Sequence, residues 1–108
     1  MNLDNVRSSF LVYLVDGNKD RSAFTGQALK SREFQVRECS TSSQALNSIQ
    51  NEPPHIIFVS YGALKQSAVK FLEKVGEVSP EARVIVLASR EDFSEAYELY
   101  DIGVFDFI

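Results

Sequence analysis

Short runs of β-branched and aliphatic residues alternate along this chain with longer stretches whose apolar positions recur at helical spacing. Phe10-Leu11-Val12-Tyr13-Leu14-Val15 is an unbroken apolar run, the pattern of a strand buried on both faces, and it stops at the polar turn Asp16-Gly17-Asn18. Asp20 to Arg32 lacks proline and carries Ala23, Phe24, Ala28 and Leu29 on one flank, with Gly26 as a single weak helix former, which predicts a first helix packed through that flank. Phe34 to Cys39 alternates and predicts a second strand. Ser40-Thr41-Ser42-Ser43 then offers N-cap oxygens to a second helix whose Ala45, Leu46 and Ile49 share a face, ended by Pro53-Pro54. Ile56 to Ser60 is the third strand. Beyond Gly62, Ala68, Phe71, Leu72, Val75 and Val78 lie at helical spacing and stop before Pro80.

Arg83 to Ala88 predicts the fourth strand. A fourth helix capped by Asp92 or Ser94 carries Phe93, Ala96, Tyr97 and Tyr100 on one stripe, with Gly103 placed as its C′ residue, and Val104 to Ile108 is the fifth strand. Five strands alternating with four helices through short loops predict an α/β fold, a doubly wound parallel sheet with helices on both faces. Residues 1–9 are expected to form an N-terminal tail and 10–108 a single domain. In open parallel sheets ligands bind at the carboxyl ends of the strands, which draws attention to Asp16-Gly17-Asn18 and to Ser60.

Composition narrows the function classes. The chain has 108 residues, 44% hydrophobic and 24% charged, enough for one domain with one core. Its net charge of -4 and scattered Lys and Arg argue against nucleic acid as a partner of this domain. No apolar run reaches the ~20 residues of a membrane span. The single cysteine, Cys39, cannot form an internal disulfide, so a reducing, cytoplasmic setting is expected and Cys39 is taken as a half-buried strand residue. The single histidine, His55, has no companion ligands for zinc and is taken as a strand-entry residue.

Four segments in order carry a family resemblance. Leu14-Val15-Asp16-Gly17-Asn18-Lys19-Asp20-Arg21, Pro54-His55-Ile56-Ile57-Phe58-Val59-Ser60, Arg83-Val84-Ile85-Val86-Leu87-Ala88-Ser89 and Gly103-Val104-Phe105-Asp106-Phe107-Ile108 resemble the first, third, fourth and fifth strand motifs of the receiver domains of bacterial two-component response regulators. The resemblance implies a flavodoxin-like strand order, 2-1-3-4-5. It also implies a final helix and a lysine beyond Ile108 that this chain does not contain, so either a cut from a longer protein, the favoured reading, or a partner chain over the sheet face that helix would cover is expected. Receivers act as phosphorylation switches, and the departures from that pattern are chemical. Ser60 stands at the phosphoacceptor aspartate's position, and a serine hydroxyl needs a nearby base; His55 sits at the strand's other end, roughly 16 Å away at strand rise. Asp16 matches the first of the acidic pair, Gly17 replaces the second, and Asn18 restores no charge. With one carboxylate where three are usual, Mg²⁺ binding is not expected. Ala88 matches the hydroxyl residue ending the fourth strand, Ser89 comes one position late with its side chain expected on the opposite face, and Phe107 matches the aromatic switch residue.

These positions predict a degenerate, non-phosphorylatable receiver without a cofactor or enzymatic activity, working as a protein-interaction or dimerisation module of a bacterial signalling protein. Its partner would be another protein, its own C-terminal output domain or a second copy. In the family, output surfaces commonly use the fourth helix and fifth strand, which places Tyr97, Tyr100, Asp101, Phe105 and Phe107 as candidate interface residues. Helical spacing favours core over interface for Tyr97 and leaves Tyr100 open between the two. Asp16 is open between a loop residue capping backbone amides and a residual cation site. The alternative function is a small-ligand or anion sensor using the emptied pocket between Asp16, Gly17, Ser60 and Ala88.

Overall fold

The computed structural model describes residues 9–64, 67–99 and 104, and the backbone of 106–107. The strands are β1 (Leu11–Val15), β2 (Gln35–Cys39), β3 (Ile56–Ser60), β4 (Arg83–Leu87) and β5 (Asp106–Phe107), and all pair in parallel in the order β2-β1-β3-β4-β5. Helices α1 (Lys19–Ser31), α2 (Ser42–Ile49), α3 (the single turn Tyr61–Leu64), α4 (Ala68–Val78) and α5 (Phe93–Tyr97) connect them. The doubly wound α/β sheet expected from the alternation of runs is therefore present.

Strand β1 is the centre of the sheet, and all five of its residues are buried. Leu11, Tyr13 and Val15 share a face with Ile57, Val59, Val84 and Val86, packed with Ala45 and Ile49 of α2 and Phe71, Leu72 and Val75 of α4. Two polar contacts fix the register between β1 and β3 from below. The Leu11 N–H donates to His55 Nδ1 at 3.0 Å while the His55 N–H donates to the Leu11 carbonyl at 2.9 Å. The Tyr13 hydroxyl, inside the core, donates to the Glu52 carbonyl at 2.8 Å, so the phenol is not left unsatisfied. This register aligns the strand ends: Val15 pairs with Val59 and with Cys39, and Ser60 pairs with Leu87. Cys39 ends β2 buried rather than half-buried, and burial pushes its thiol up from the usual range.

The opposite face is covered over β1 by α1, where Val12 and Leu14 are 1% and 0% exposed. Farther along it Ile56, Phe58, Ile85 and Leu87 are only half-buried. Helix α1 does not pack through the flank the sequence favours. Ala23, Phe24 and Ala28 face solvent, with Phe24 79% exposed and Leu29 half-buried, whereas Ser22 and Gly26 are buried. Glu38 of β2 meets this inner side of the helix. The Ser22 hydroxyl donates to Glu38 Oε1 at 2.9 Å, Lys30 Nζ stands 3.6 Å from Oε2, and a Cβ on Gly26 would come within 3.2 Å of the Glu38 carboxyl carbon. Glu38 keeps 38% of its side chain exposed, so these contacts tie the helix to the edge of the sheet without burying a charge.

Helix α1 ends in a Schellman-type turn, the Phe34 N–H donating to the Leu29 carbonyl at 3.2 Å and the Glu33 N–H to Lys30 at 2.9 Å. Glu33 occupies the left-handed position at φ 71°, where a Cβ is strained. Glu33→Gly should therefore raise the stability by about 0.5–1 kcal/mol in urea unfolding, the steric relief exceeding glycine's entropy cost. A lower midpoint would contradict the strain.

Candidate functional site

The carboxyl ends of β1, β3 and β4 converge on one polar region. Asp16 directly follows β1 and is buried, so its carboxylate needs partners close by. It has three. Its Oδ1 accepts from the Asn18 backbone N–H at 3.0 Å, an Asx turn, and the Arg21 guanidinium grips both oxygens, Nε to Oδ2 at 2.5 Å and Nη2 to Oδ1 at 2.7 Å. Asn18 in turn caps α1, its Oδ1 accepting from the Arg21 N–H at 3.0 Å. The hydrogen bonds from Arg21 hold the Asp16 carboxyl below the usual carboxylate range, against the opposing effect of burial, and the Asn18 N–H adds to them. Of the two roles open to Asp16 in the sequence, the loop-capping one is what the geometry displays. Arg21, five residues on, carries no signal beyond lying in the first turn of the predicted helix, and sequence reasoning misses it.

Gly17 and Asn18 are exposed in the same loop. A Cβ at Gly17 would meet nothing nearer than the Ser40 carbonyl at 3.6 Å, so packing does not demand glycine there. Beside them lies a cavity of about 360 Å³ lined by Arg21, Ser60, Gly62, Leu87, Ala88, Ser89 and Asp92. Ser60, Ala88 and Ser89 thus meet as lining residues, while Asp16 lies behind the guanidinium. Strand alternation would turn Ser89 away from this pocket, but β4 ends at Leu87, so the alternation does not reach Ser89, which lines the pocket. Its hydroxyl donates to Asp92 Oδ2 at 3.2 Å and accepts from the Asp92 N–H at 3.3 Å. Asp92 is the N-cap residue of α5 but makes no side-chain cap bond there.

Next to Ser60, Tyr61 turns the other way. It is 8% exposed, and its hydroxyl bonds to Glu95 Oε2 of α5 at 3.2 Å; burial, then the Glu95 carboxylate, pushes the phenol up. Helix α5 buries Ala96, with Leu99 buried just beyond it, and turns Phe93 and Tyr97 outward, 45% and 55% exposed, their rings 5.7 Å apart. Tyr97 is therefore not core: Ala96 and Leu99, three apart, supply the inward stripe, which leaves Phe93 and Tyr97 on the other side. Tyr100, Asp101 and Phe105 lie outside the described residues. Phe107 pairs with Val86 through its backbone, and its side chain lies outside the description. Among the described residues no group of three His, Cys, Asp or Glu side chains is placed to hold a metal ion, and no helix is long and apolar enough to cross a membrane.

A parallel sheet in the order 2-1-3-4-5 with a pocket at the carboxyl ends of β3 and β4 defines a flavodoxin-like α/β domain. More narrowly, the chain belongs to the response regulator receiver domain family, whose model matches residues 12–108. No curated protein matches its sequence. Among solved structures it is similar to a Burkholderia pseudomallei response regulator with a phosphorylated aspartic acid, calcium ion and citrate, at TM-score 0.80 and 19% identity, covering 92% of this chain and 58% of that one. It is also similar to an adenylate cyclase from Rhodopirellula baltica, at 0.79 and 25%, covering 91% and 73%. A response regulator receiver domain protein from Methanospirillum hungatei JF-1 gives 0.81 and 18%, covering 92% and 79%. The chain thus spans 58% of the Burkholderia protein's length.

Two expectations follow. Arg21→Gln should lower stability by about 1–2 kcal/mol at neutral pH, a figure reduced from that of a fully buried pair because Arg21 is 54% exposed. Because the Asp16 carboxyl is depressed in the folded state, its contribution is complete above the unfolded value of about 3.9 and is lost as pH falls through the folded value, so the wild-type advantage over Arg21→Gln should vanish in acid unfolding curves. Separately, Phe93→Ser and Tyr97→Ser should each cost less than about 1 kcal/mol, whereas Leu99→Ala should cost about 2–3 kcal/mol in thermal or urea unfolding. Equal costs would place the aromatic pair back in the core.

Proposed function

We propose that this receiver domain is a degenerate, non-phosphorylatable type that signals by protein interaction rather than by phosphoryl transfer. One observation carries the reading: the buried acid at the end of β1, Asp16, is paired with the Arg21 guanidinium through both oxygens, while the residue ending β3 is Ser60. Phosphoryl transfer to a receiver needs a carboxylate nucleophile and a cation that neutralises developing charge at the transferring group. Here the carboxylate that would recruit the metal already has its cation, tethered by five residues of chain. Displacing Arg21 in favour of Mg²⁺ would expose the ion to a site with one carboxylate, too little to compensate dehydration. The domain accordingly needs no cofactor and performs no catalysis, and its setting is the cytoplasm of a bacterial cell.

The surface offered to a partner is α5 with the segment that follows it. Phe93 and Tyr97 present two aromatic rings to solvent, and large aromatics anchor interfaces because they bury much area at little rotamer cost. The partner is a protein: an output domain in the same polypeptide, a separate protein or a second copy. Tyr100, Asp101, Phe105 and Phe107 extend the same candidate surface by sequence.

An amide NMR titration tests the reading, first with Mg²⁺ and then with beryllium fluoride as a mimic of the phosphorylated aspartate. The resonances of Asp16, Ser60 and Ala88 should stay in place through both additions. Concerted shifts at these residues would show a working phosphoryl switch and overturn it.

A further inference from the structure

The cavity beside Arg21 is built as a binding site that the interaction reading does not use. Ser60 is 7% exposed, yet its hydroxyl has no hydrogen-bond partner among the described residues and lies on the cavity wall. No buried side-chain polar atom among the described residues lacks a partner, so this hydroxyl is open to the cavity and free to bond a molecule bound there. Across from it, Arg21 spends Nε–H and one Nη2–H on Asp16. A guanidinium has five N–H donors, which leaves Nη1 and the outer edge of Nη2 for a second acceptor. Asp92 supplies the opposite charge, and only one of its carboxylate oxygens is engaged, by Ser89. Gly62, Leu87 and Ala88 complete a small, largely apolar floor. The lining therefore presents one cation, one anion and a spare hydroxyl, with Asp16 screened behind the guanidinium. A simple anion would meet Asp92, and a simple cation would meet Arg21; a molecule bearing both charges satisfies each.

We propose that this pocket binds a small zwitterion of the α-amino acid class, its carboxylate on the outer N–H groups of Arg21 and the Ser60 hydroxyl, its ammonium on Asp92. The site rests on the reading that Arg21 has closed the pocket to metal. The cavity of about 360 Å³ accommodates a small amino acid with room for a short side chain over Leu87 and Ala88.

The test is an amide NMR titration of the protein with L-alanine, sodium acetate and methylammonium chloride at matched ionic strength. L-alanine should shift Gly62, Ser89 and the Arg21 side chain saturably, and each half-molecule should bind at least about tenfold more weakly. Ser60→Ala and Asp92→Asn should each weaken L-alanine binding about tenfold. Arg21→Gln leaves Asp16 unpaired and unfolding could imitate loss of binding, so those two variants carry the test. Acetate binding as tightly as L-alanine, shifts insensitive to both variants, or no saturable shift would each overturn the proposal. If L-alanine fails while Mg²⁺ and beryllium fluoride are silent, the zwitterion site alone falls. If Mg²⁺ and beryllium fluoride move the pocket, the reading beneath it falls as well.

Discussion

A carboxylate buried at the end of a central strand must be given a cation, and how this chain supplies one governs the rest of the domain. Asp16 follows β1, where every residue is enclosed, so its charge has little access to bulk water. An ion from solution could meet the demand. Arg21 meets it instead with two parallel N–H to oxygen bonds, the geometry for which a guanidinium is preorganised. The same loop is closed from the other side, since Asn18 donates to Asp16 through its backbone and caps the helix through its side chain. Four hydrogen bonds thus tie the start of α1 to the end of β1. With Arg21 turned toward the strand end, Ser22 and Gly26 face the sheet and Phe24 is carried outward, which leaves room for the Glu38 carboxylate at the helix's inner side.

A tethered cation differs from a metal ion in its consequences. Metal ligands exchange, and a bound divalent ion can lend a coordination site to an incoming oxygen; a guanidinium offers only N–H groups in a fixed plane. It also cannot be lost by dilution or chelation. On the proposed function the pocket therefore has a constant charge state across neutral pH, with Asp16 held ionised by its partner. Signalling through such a domain has to come from what its surface or pocket binds.

Much of the fold was legible because its determinants are local. Five apolar runs stopped by polar turns, and four stretches at helical spacing, are properties of neighbouring residues, and the sheet order came with the family resemblance. Thr41 caps α2 by accepting from the Gln44 N–H at 3.2 Å, as the Ser/Thr run implied. What was not legible depends on partners distant in sequence. The inner side of α1 meets Glu38 on β2, the buried positions of α5 continue to Leu99 beyond its last residue, and β4 ends at Leu87 before the alternation that would have turned Ser89 away reaches it. Arg21 was invisible for the same reason, since nothing in an arginine near a helix start says that it will fold back onto a strand-end acid.

Ser60 and Tyr61 are consecutive residues with opposite destinations, and that juxtaposition bears on how a pocket without phosphate could speak to a surface. The Ser60 hydroxyl faces the cavity, while the Tyr61 hydroxyl reaches Glu95 on the helix that displays Phe93 and Tyr97. Backbone displacement at one residue is felt at the next, so the pocket and the aromatic pair are joined through one peptide and one hydrogen bond. Connection alone does not make a switch. A ligand shifts an equilibrium only by the difference in its affinity for the two states, so occupancy at Ser60 would alter partner binding only to the extent that the ligand distinguishes positions of Tyr61. The Tyr61 to Glu95 bond, at 3.2 Å between a buried phenol and a helix surface carboxylate, is the contact in which such a difference would have to reside.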